Sequence, residues 1–269
     1  MTSDDWRNPL DAAALRDATS GSPWRRIDVV AETGSTNADL IARAAAGEDI
    51  DGAVLIAEHQ TAGRGRNGRS WSAPPRSQIA LSIGVSADGV PAEGWGWLPL
   101  LTGVALVDAI RESTGVEAGV KWPNDVLVGT GKLAGILAEV AAPDQVIVVG
   151  LGLNVTLTAE EAPDPRATSL QMLGAAMLDR EVLVRAILRE LTTRIERWQT
   201  AKGPDPALVE DYRHHSLTLG SRVRAVMPGD SEITGIAIDI DTLGRLSIDT
   251  GTEVATVSAG DITHLRPAG

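Results

Sequence analysis

Nine residues at positions 63–71, GRGRNGRSW, concentrate positive charge and backbone freedom in a chain whose formal net charge is −12. The stretch holds three arginines and three glycines, and no Asp or Glu occurs between His59 and Ala87. Glycine lets backbone N–H groups approach a ligand, and the planar arginine guanidinium pairs well with phosphate or carboxylate groups. The stretch therefore predicts a loop that is mobile when empty and becomes ordered over an anionic ligand.

Two phosphate-binding patterns also match this loop, and the residues that follow it argue against both. Residues 63–68 have the GxGxxG spacing of a dinucleotide-binding turn, and residues 63–70 differ from a P-loop by one residue. Both motifs require a helix directly after the glycines. Here Pro74 and Pro75 follow, and then a strand pattern, so that helix cannot form. At this point a solvated loop without a ligand stays open as the alternative.

Composition excludes several classes of protein. The chain has 269 residues, of which 43% are hydrophobic, so it can bury a sizeable core. It has no cysteine, and its four histidines include no pair at the i,i+4 spacing of a zinc-binding helix. The acidic balance disfavours a nucleic-acid partner, and no apolar run approaches the ~18–20 residues of a membrane span. The N-terminus lacks the apolar core of a secretory signal, so we expect a soluble, cytoplasmic protein without a stable metal site of its own.

Hydrophobic periodicity predicts an α+β domain over residues 27–217, preceded by an extension over residues 1–26. Helices are expected at residues 10–18, 37–46, 98–113, 180–200 and 206–214. Hairpin-like strands are expected at residues 27–31, 53–58, 78–85, 120–122, 135–141 and 145–155. Ser35 or Thr36 is expected to cap the helix that follows them.

The pattern of hydrophobic and polar residues changes after Leu219 and Gly220. Short alternating runs at residues 222–227, 233–239, 245–249 and 253–257 are separated by turns rich in Gly and Asp. Strands of this length and spacing predict a small β-barrel. We therefore expect a second domain over residues 218–269.

Four further segments accompany the basic loop in a defined order. They are GSTNADL at 34–40, KWPNDV at 121–126, GKLAGILAE at 131–139 and GLGLNV at 150–155. Together with QTAGRGRNGRSW at 60–71, they resemble the biotin–protein ligase family over nearly the whole chain. The resemblance implies a catalytic domain like that of class II aminoacyl-tRNA synthetases and lipoyl ligases, followed by an SH3-like barrel. The N-terminus lacks the DNA-binding domain of bifunctional members, so a repressor is not expected.

The resemblance also implies a reaction and its participants. Biotin and ATP, with Mg²⁺ bound through the ATP phosphates, would give biotinyl-5′-AMP. A lysine of the biotin carboxyl carrier domain of a carboxylase would then accept the biotinyl group. The protein would be a monomer or a homodimer.

Residue by residue, the family's functional positions fall on residues of three kinds. The catalytic positions fall on Lys132, Arg66, Lys121 and Asp125. The biotin-binding positions fall on Ser35, Thr36, Asn37, Gln60, Arg64, Gly65, Arg66, Trp71, Lys132, Gly135 and Leu137. The nucleotide-binding positions fall on Arg64, Arg66, Arg69, Lys121, Asn124, Lys132, Asn154 and Arg266.

Two departures from the family pattern and three alternatives complete the interpretation. Asn67 stands where many members carry a second basic residue, and the acidic, proline-rich segment 156–170 occupies the place of the adenine-covering loop. We expect this segment to be disordered without nucleotide. A lipoate ligase, a DNA-binding repressor and a pocket that has lost catalysis are the competing functions. The polar set at Ser35–Asn37 and Gln60 disfavours a lipoate ligase. The net charge disfavours a DNA-binding repressor, and the retained Lys132 disfavours a pocket that has lost catalysis.

Overall fold

The computed structural model describes residues 6–141, 145–227, 231–258 and 261–264. The helices of the described residues are α1 (Ala12–Ala18), α2 (Thr36–Ala45), α3 (Trp97–Thr114), α4 (Arg180–Ala201) and α5 (Pro206–His215). The first seven strands are β1 (Arg26–Val30), β2 (Ala53–Ala57), β3 (Gln78–Ser86), β4 (Gly119–Lys121), β5 (Asp125–Val128), β6 (Gly131–Ala141) and β7 (Val146–Asn154). The last five are β8 (Arg222–Val226), β9 (Glu232–Ile240), β10 (Leu246–Asp249), β11 (Val254–Val257) and β12 (Asp261–His264).

A seven-stranded sheet with the order β1-β2-β3-β7-β6-β5-β4 forms the centre of the molecule. The pairs between β2 and β4 in this order are antiparallel, whereas β1 and β2 run parallel. The expected hairpin-like strands are therefore found except at this edge. The parallel pair arises because α2 crosses over between the two strands, as a parallel connection requires.

Helices cover both faces of the sheet. The inward residues of α2, such as Leu40 and Ala44, pack on one face against Leu55 and Val148. The other face packs on α3 and α4, where Val149 of the same strand contributes to the larger core. Successive strand residues point to opposite faces, so the wholly buried β7 contributes side chains to both cores, whereas the large apolar side chains of β3 join the larger one.

Local sequence accounts for the ends of the helices. Ser35 caps α2, as expected, and Asp179 caps α4 by accepting from the backbone N–H groups of the first turn. Helix α1 begins later than expected, because the Asp11 carboxylate accepts from the backbone of Ala13 and Ala14 and so occupies the cap itself. Helix α3 ends at Gly115, which adopts a left-handed backbone with φ 73°.

The C-terminal strands form a five-stranded antiparallel sheet with the order β11-β10-β9-β8-β12. Its inward residues join the main core, and two tryptophans fix it to the larger domain. Trp97 Nε1 donates to the Asp241 carbonyl at 3.2 Å, and Trp122 Nε1 donates to the Gly244 carbonyl at 3.0 Å. The turn between β9 and β10 is therefore docked against the larger domain.

Two strands were not expected from the sequence, and both are four residues long. Strand β5 follows the Pro-Asn-Asp turn directly, and β12 lies close to the C-terminus. Four residues show little alternation, and the equally short β10 and β11 were expected only because Gly- and Asp-rich turns separate them within a regular series of runs. The α+β class is confirmed, while the boundary near residue 217 stays a prediction.

Candidate active site

A cavity of ≈ 660 Å³ opens beside the β6–β7 pair, a volume typical of small-molecule sites. Its wall is assembled from the start of α2, the loop after β2, the β4–β5 turn, β6, β7, the loop after β7, and β12. Every predicted site residue that the structure describes lines it. These are Ser35, Thr36, Asn37, Gln60, Arg64, Gly65, Arg66, Arg69, Trp71, Lys121, Asn124, Asp125, Lys132, Gly135, Leu137 and Asn154. Arg266 lies outside the described residues.

One end of the cavity is lined by polar side chains that carry no charge, and one of them, Asn37, donates to the Glu139 carboxylate behind the wall at 2.8 Å. The Gln60 Oε1 atom accepts from the Thr36 backbone N–H at 2.9 Å, and the Thr36 hydroxyl lies 3.2 Å from the same oxygen. The Ser82 hydroxyl lies 2.7 Å from the Thr36 hydroxyl and 2.6 Å from Asn37 Oδ1. The Asn37 amide donates in turn to the Leu137 carbonyl at 3.1 Å. A buried network of this kind fixes donors and acceptors for a neutral polar ligand group.

Glycines on the central strands make room for the larger side chains of the site. A Cβ atom on Gly150 would lie 2.1 Å from Asn37 Oδ1, and one on Gly152 would lie 2.4 Å from the Trp71 indole nitrogen. Trp71 also donates a hydrogen bond to the Gln78 side chain at the start of β3. The indole is therefore seated against the floor of the cavity because these strand positions lack side chains.

The basic loop forms a small hairpin over the cavity. Arg64 and Ser70 pair as an isolated antiparallel bridge, and the Gly65 N–H donates to the Arg69 carbonyl at 2.7 Å. Asn67 stands at the tip with φ 56°, in the left-handed region that Asn tolerates better than most residues. The departure at position 67 therefore has a backbone explanation. The mobility of this loop stays a prediction.

The arginines of the hairpin contact the cavity walls. Arg64 forms an ion pair with Glu139 of β6 at 3.0 Å. The Arg66 guanidinium donates to Asn124 Oδ1 at 3.2 Å, and Asn124 itself donates to the Ile136 carbonyl at 2.8 Å. The hairpin is thus connected to β6 at one point and to the β4–β5 turn at another.

Lys132 lies at the centre of the charged half of the cavity. Its Nζ atom is 2.7 Å from Asp125 Oδ1 and 5.4 Å from the centre of the Trp71 ring. Asp125 begins β5 and Lys132 is the second residue of β6, so adjacent strands hold the two groups together. An ammonium group in this position has donors left for an anion in the cavity.

The loop after β7 closes the cavity from the far side and is paired with β6, and its expected disorder without nucleotide stays a prediction. The Lys132 N–H donates to the Arg166 carbonyl at 2.6 Å, and the Thr168 N–H donates to the Lys132 carbonyl at 2.9 Å. Asn154 lies at the cavity wall, but its side-chain amide donates to the Thr168 carbonyl at 2.9 Å. Asn154 therefore positions this loop in addition to any ligand contact.

Sequence reasoning missed several residues of the cavity wall. Asp164 and Arg166 belong to the loop after β7, and a double hydrogen bond from Arg166 lowers the pKa of Asp164 to about 2. Ile262, Thr263 and His264 come from β12. Burial, and next the positive charge of Lys121, lower the pKa of His264. No motif marks these residues, because they reach the cavity only through tertiary packing.

Comparison with known proteins identifies the family. Residues 36–154 match the Biotin/lipoate A/B protein ligase family, and residues 218–265 match the Biotin protein ligase C terminal domain. The chain is 56% identical over 268 residues to the biotin--[acetyl-CoA-carboxylase] ligase of Mycobacterium tuberculosis, covering 98% of each chain. This chain belongs to the biotin protein ligase family.

More distant biotin ligases agree in sequence and in fold. The bifunctional ligase/repressor BirA of Escherichia coli is 33% identical over 239 residues, which cover 87% of this chain and 72% of that protein. The biotin protein ligase of Aquifex aeolicus in complex with biotin and ATP superposes with a TM-score of 0.74 at 26% identity, covering 90% of this chain and 99% of that one. The family and fold inferred from the motifs are confirmed, whereas the ligand roles of single residues stay predictions.

The described residues of this ligase contain neither a membrane-spanning helix nor a cluster of metal ligands. No helix there is long and apolar enough to cross a membrane. No three His, Asp or Glu side chains in that part of the chain are grouped so that they could hold a metal ion. The cavity carboxylates Asp125 and Asp164 are each paired with a basic side chain. These residues therefore do not fit a magnesium site built from protein ligands alone.

Proposed function

We propose that this protein is an ATP-dependent biotin ligase that activates biotin as biotinyl-5′-AMP and transfers it to a lysine of a biotin carboxyl carrier domain. The observation that carries the proposal is the position of Lys132. It lies between Asp125 and the Trp71 ring, in a cavity with a neutral polar end and a basic end. The family membership and the resemblance to the biotin–protein ligases named above support the same reaction.

The neutral end of the cavity suits the ureido head of biotin. That head carries both N–H donors and a carbonyl acceptor, and burying it unpaired would be costly. The network of Thr36, Gln60, Asn37 and Ser82 supplies fixed hydroxyl and amide groups. Trp71 and the glycine floor give the apolar ring system and its valeryl chain a flat wall.

The basic end suits the two anions that must react. In the first step a carboxylate oxygen of biotin bonds to the α-phosphorus of ATP, the bond from that phosphorus to the β-phosphate bridging oxygen breaks, and pyrophosphate leaves. Both partners are negative, so their approach needs fixed positive charge. Lys132, Arg64 and Arg66, which line the cavity, would supply it, and Lys121 of the same wall would face the phosphates.

In the second step the carrier lysine attacks the acyl carbon. The new C–N bond forms, the bond from the acyl carbon to the phosphate oxygen breaks, and AMP leaves with the electron pair. The attacking amine must lose a proton, and the Asp125 carboxylate is placed to orient it or accept that proton. The basic hairpin would hold the acyl-adenylate away from water between the two steps.

The remaining participants follow from this chemistry. Mg²⁺ would be held by phosphate oxygens and water, since it usually binds through substrate phosphates. The protein partner would be the carrier domain of a biotin-dependent carboxylase, in the cytoplasm, where such carboxylases act. A monomer and a homodimer are both compatible with the proposal.

A single assay tests the proposal. Purified protein, ATP, Mg²⁺ and labelled biotin should transfer label to one lysine of a biotin carboxyl carrier domain, and replacing that lysine with arginine should abolish labelling. Lipoate in place of biotin is the matched control. Absence of transfer, or equal transfer of lipoate, would contradict the proposal.

A further inference from the structure

Arg7, in the segment before α1, binds the loop after β7 through every nitrogen of its guanidinium. Two bonds join it to the Glu161 carboxylate at 3.0 and 2.7 Å. Its Nε donates to the Thr156 hydroxyl at 3.0 Å, and a terminal nitrogen donates to the Thr156 carbonyl at 2.7 Å. We call Arg7, Thr156 and Glu161 the N-terminal clasp. A bidentate pair of this kind fixes geometry as well as charge.

The loop that the clasp holds has a closed neck and two halves. At the neck the Gln171 N–H donates to the Val155 carbonyl at 2.9 Å, and the Ser169 hydroxyl donates to the Leu157 carbonyl at 2.6 Å. In the second half, Pro163, Asp164, Arg166 and Ala167 line the cavity, and the backbone of residues 166 and 168 pairs with Lys132. The first half, which includes Glu161, lies outside the cavity and has Arg7 as its basic partner.

The segment that carries Arg7 is itself anchored in the core. The Leu10 N–H donates to Glu58 Oε1 at 2.7 Å, and Glu58 forms a buried ion pair with Arg180 at 2.7 Å. Arg180 also donates to the Asn8 carbonyl at 2.6 Å. Arg7 therefore binds the loop with its side chain, while the backbone around it is fixed to the core. The loop is thereby anchored to the body of the domain.

From this arrangement we propose that Arg7 is a positioning residue for the nucleotide. By holding the first half of the loop, the clasp keeps the second half, with Asp164 and Arg166, at the cavity wall beside Lys132. This proposal rests on the function proposed above, and it assigns a role to the N-terminal extension. Biotin would bind at the other end of the cavity, so the clasp should affect the nucleotide and leave biotin binding unchanged.

Kinetics of the first step separate these effects. Biotin-dependent exchange of pyrophosphate into ATP is measured for the wild type, Arg7→Ala, Glu161→Gln and the control Glu160→Gln. Glu160 is an exposed carboxylate of the same loop. Arg7→Ala should raise the KM for ATP by about tenfold, the effect of losing charge-assisted hydrogen bonds that hold a loop. The KM for biotin should stay within about twofold, and Glu160→Gln should match the wild type.

Further variants distinguish positioning from general stability. Arg7→Lys keeps the charge but loses the fork, so its KM for ATP should lie between those of the wild type and Arg7→Ala. Arg7→Ala combined with Glu161→Ala should be no worse than Arg7→Ala alone, because Arg7→Ala already removes both bonds to Glu161 together with those to Thr156. Three results would each overturn the proposal. They are an equal rise in the KM for ATP and the KM for biotin, an unchanged KM for ATP, and strictly additive effects of the two changes on the KM for ATP in the double variant. If Arg7→Ala does not fold, Arg7→Lys and Glu161→Gln carry the same comparison. Absence of exchange in the wild type would instead refute the proposed function.

Discussion

At the scale of single residues, Lys132 combines a structural main chain with a chemical side chain. Its N–H and carbonyl pair with the loop after β7, while the ammonium group faces the cavity. Lys132→Ala should therefore leave the fold intact and slow adenylation by about 10²–10³-fold, the usual effect of removing one preorganised charged donor. The rate of biotin-dependent pyrophosphate exchange measures the loss, and the thermal unfolding midpoint serves as the control. A midpoint that falls by many degrees would show that the side chain matters mainly for folding.

Asp125→Asn separates the two chemical steps at the neighbouring residue. The amide keeps the shape of the carboxylate but cannot accept a proton from the carrier lysine. Transfer from preformed biotinyl-5′-AMP should slow more than adenylation does, and single-turnover measurements of each step show the ratio. Equal slowing of both steps would indicate that Asp125 acts only by holding Lys132, which lies 2.7 Å away.

The site residues that sequence could supply are those in linear motifs. Arg64 and Arg66 stood out because their loop concentrates glycine and arginine, whereas Lys132 was singled out only by the resemblance of GKLAGILAE to the family. Arg7 and His264 were not found, since a lone arginine or histidine has no pattern around it. Their contacts lie 149 and 46 residues away in sequence, so only the folded chain brings them together.

At the scale of elements, the hydrophobic period and the capping residues predicted the helices, whereas the sequence did not predict how the strands pair. Helix α4 was expected within a residue of its bounds from its long amphipathic run, and the structure shows Asp179 capping its start. The parallel β1–β2 pair was missed because strand direction depends on the path of α2 and not on either strand's own residues. Short strands such as β5 take their identity from the neighbours they pair with.

Helix α5 offers a test of acid stability at this scale. Asp205 caps it by accepting from the Leu208 N–H at 2.7 Å, and the same carboxylate receives two hydrogen bonds from Arg197 at 2.9 and 2.6 Å. The hydrogen bonds from Arg197, more than any other group, lower the pKa of Asp205. A lowered folded pKa adds stability above the unfolded value of about 3.9, and this stability is lost as pH falls through the folded value.

Two substitutions at Asp205 separate the cap from the ion pair. Asp205→Asn keeps a capping oxygen and loses the charge, so at pH 7 it should cost about 1 kcal/mol, a value typical of a partly exposed pair. Asp205→Ala should cost about 1 kcal/mol more, because the cap is lost as well. Denaturant unfolding at pH 7 and near pH 3 checks the linkage. The difference in the free energy of unfolding between Asp205→Asn and the wild type should be smaller at the lower pH. An unchanged difference would exclude a role for the charge.

At the scale of the whole molecule, the two sheets are joined at the edge of the cavity by the segment that connects them. The Leu217 N–H donates to the Val120 carbonyl at 2.8 Å, so the connection runs beside β4. The next residue, Thr218, is buried, and its hydroxyl oxygen accepts from the Trp122 N–H at 3.0 Å and lies 3.2 Å from His264 Nε2. One hydroxyl therefore links the KWPNDV turn, the connecting segment and β12.

The positive charge of the cavity is compatible with the negative charge of the whole molecule. The net charge of −12 is that of the whole chain, whereas Lys121, Lys132 and the arginines of the hairpin line one cavity. Fixed positive charge is needed against one small anion and not along a polymer, so an acidic protein and a basic site are compatible. The lowered pKa of His264 favours a neutral imidazole at pH 7, so its Nε2 can accept from the Thr218 hydroxyl.

Replacing Thr218 tests whether this junction holds the catalytic turn. Thr218→Val keeps the volume but leaves the buried Trp122 N–H without its acceptor, so the Lys121–Asp125 turn should lose its fixed position. We expect kcat/KM for adenylation to fall by about tenfold, the scale of one unsatisfied buried donor. Thr218→Ser restores the hydroxyl and should recover activity to within about threefold of the wild type, although it lacks the methyl group. Equal losses for Val and Ser would assign the effect to packing alone. A selective loss in Val would show that the C-terminal sheet and the catalytic turn are coupled through a single hydrogen-bonded side chain.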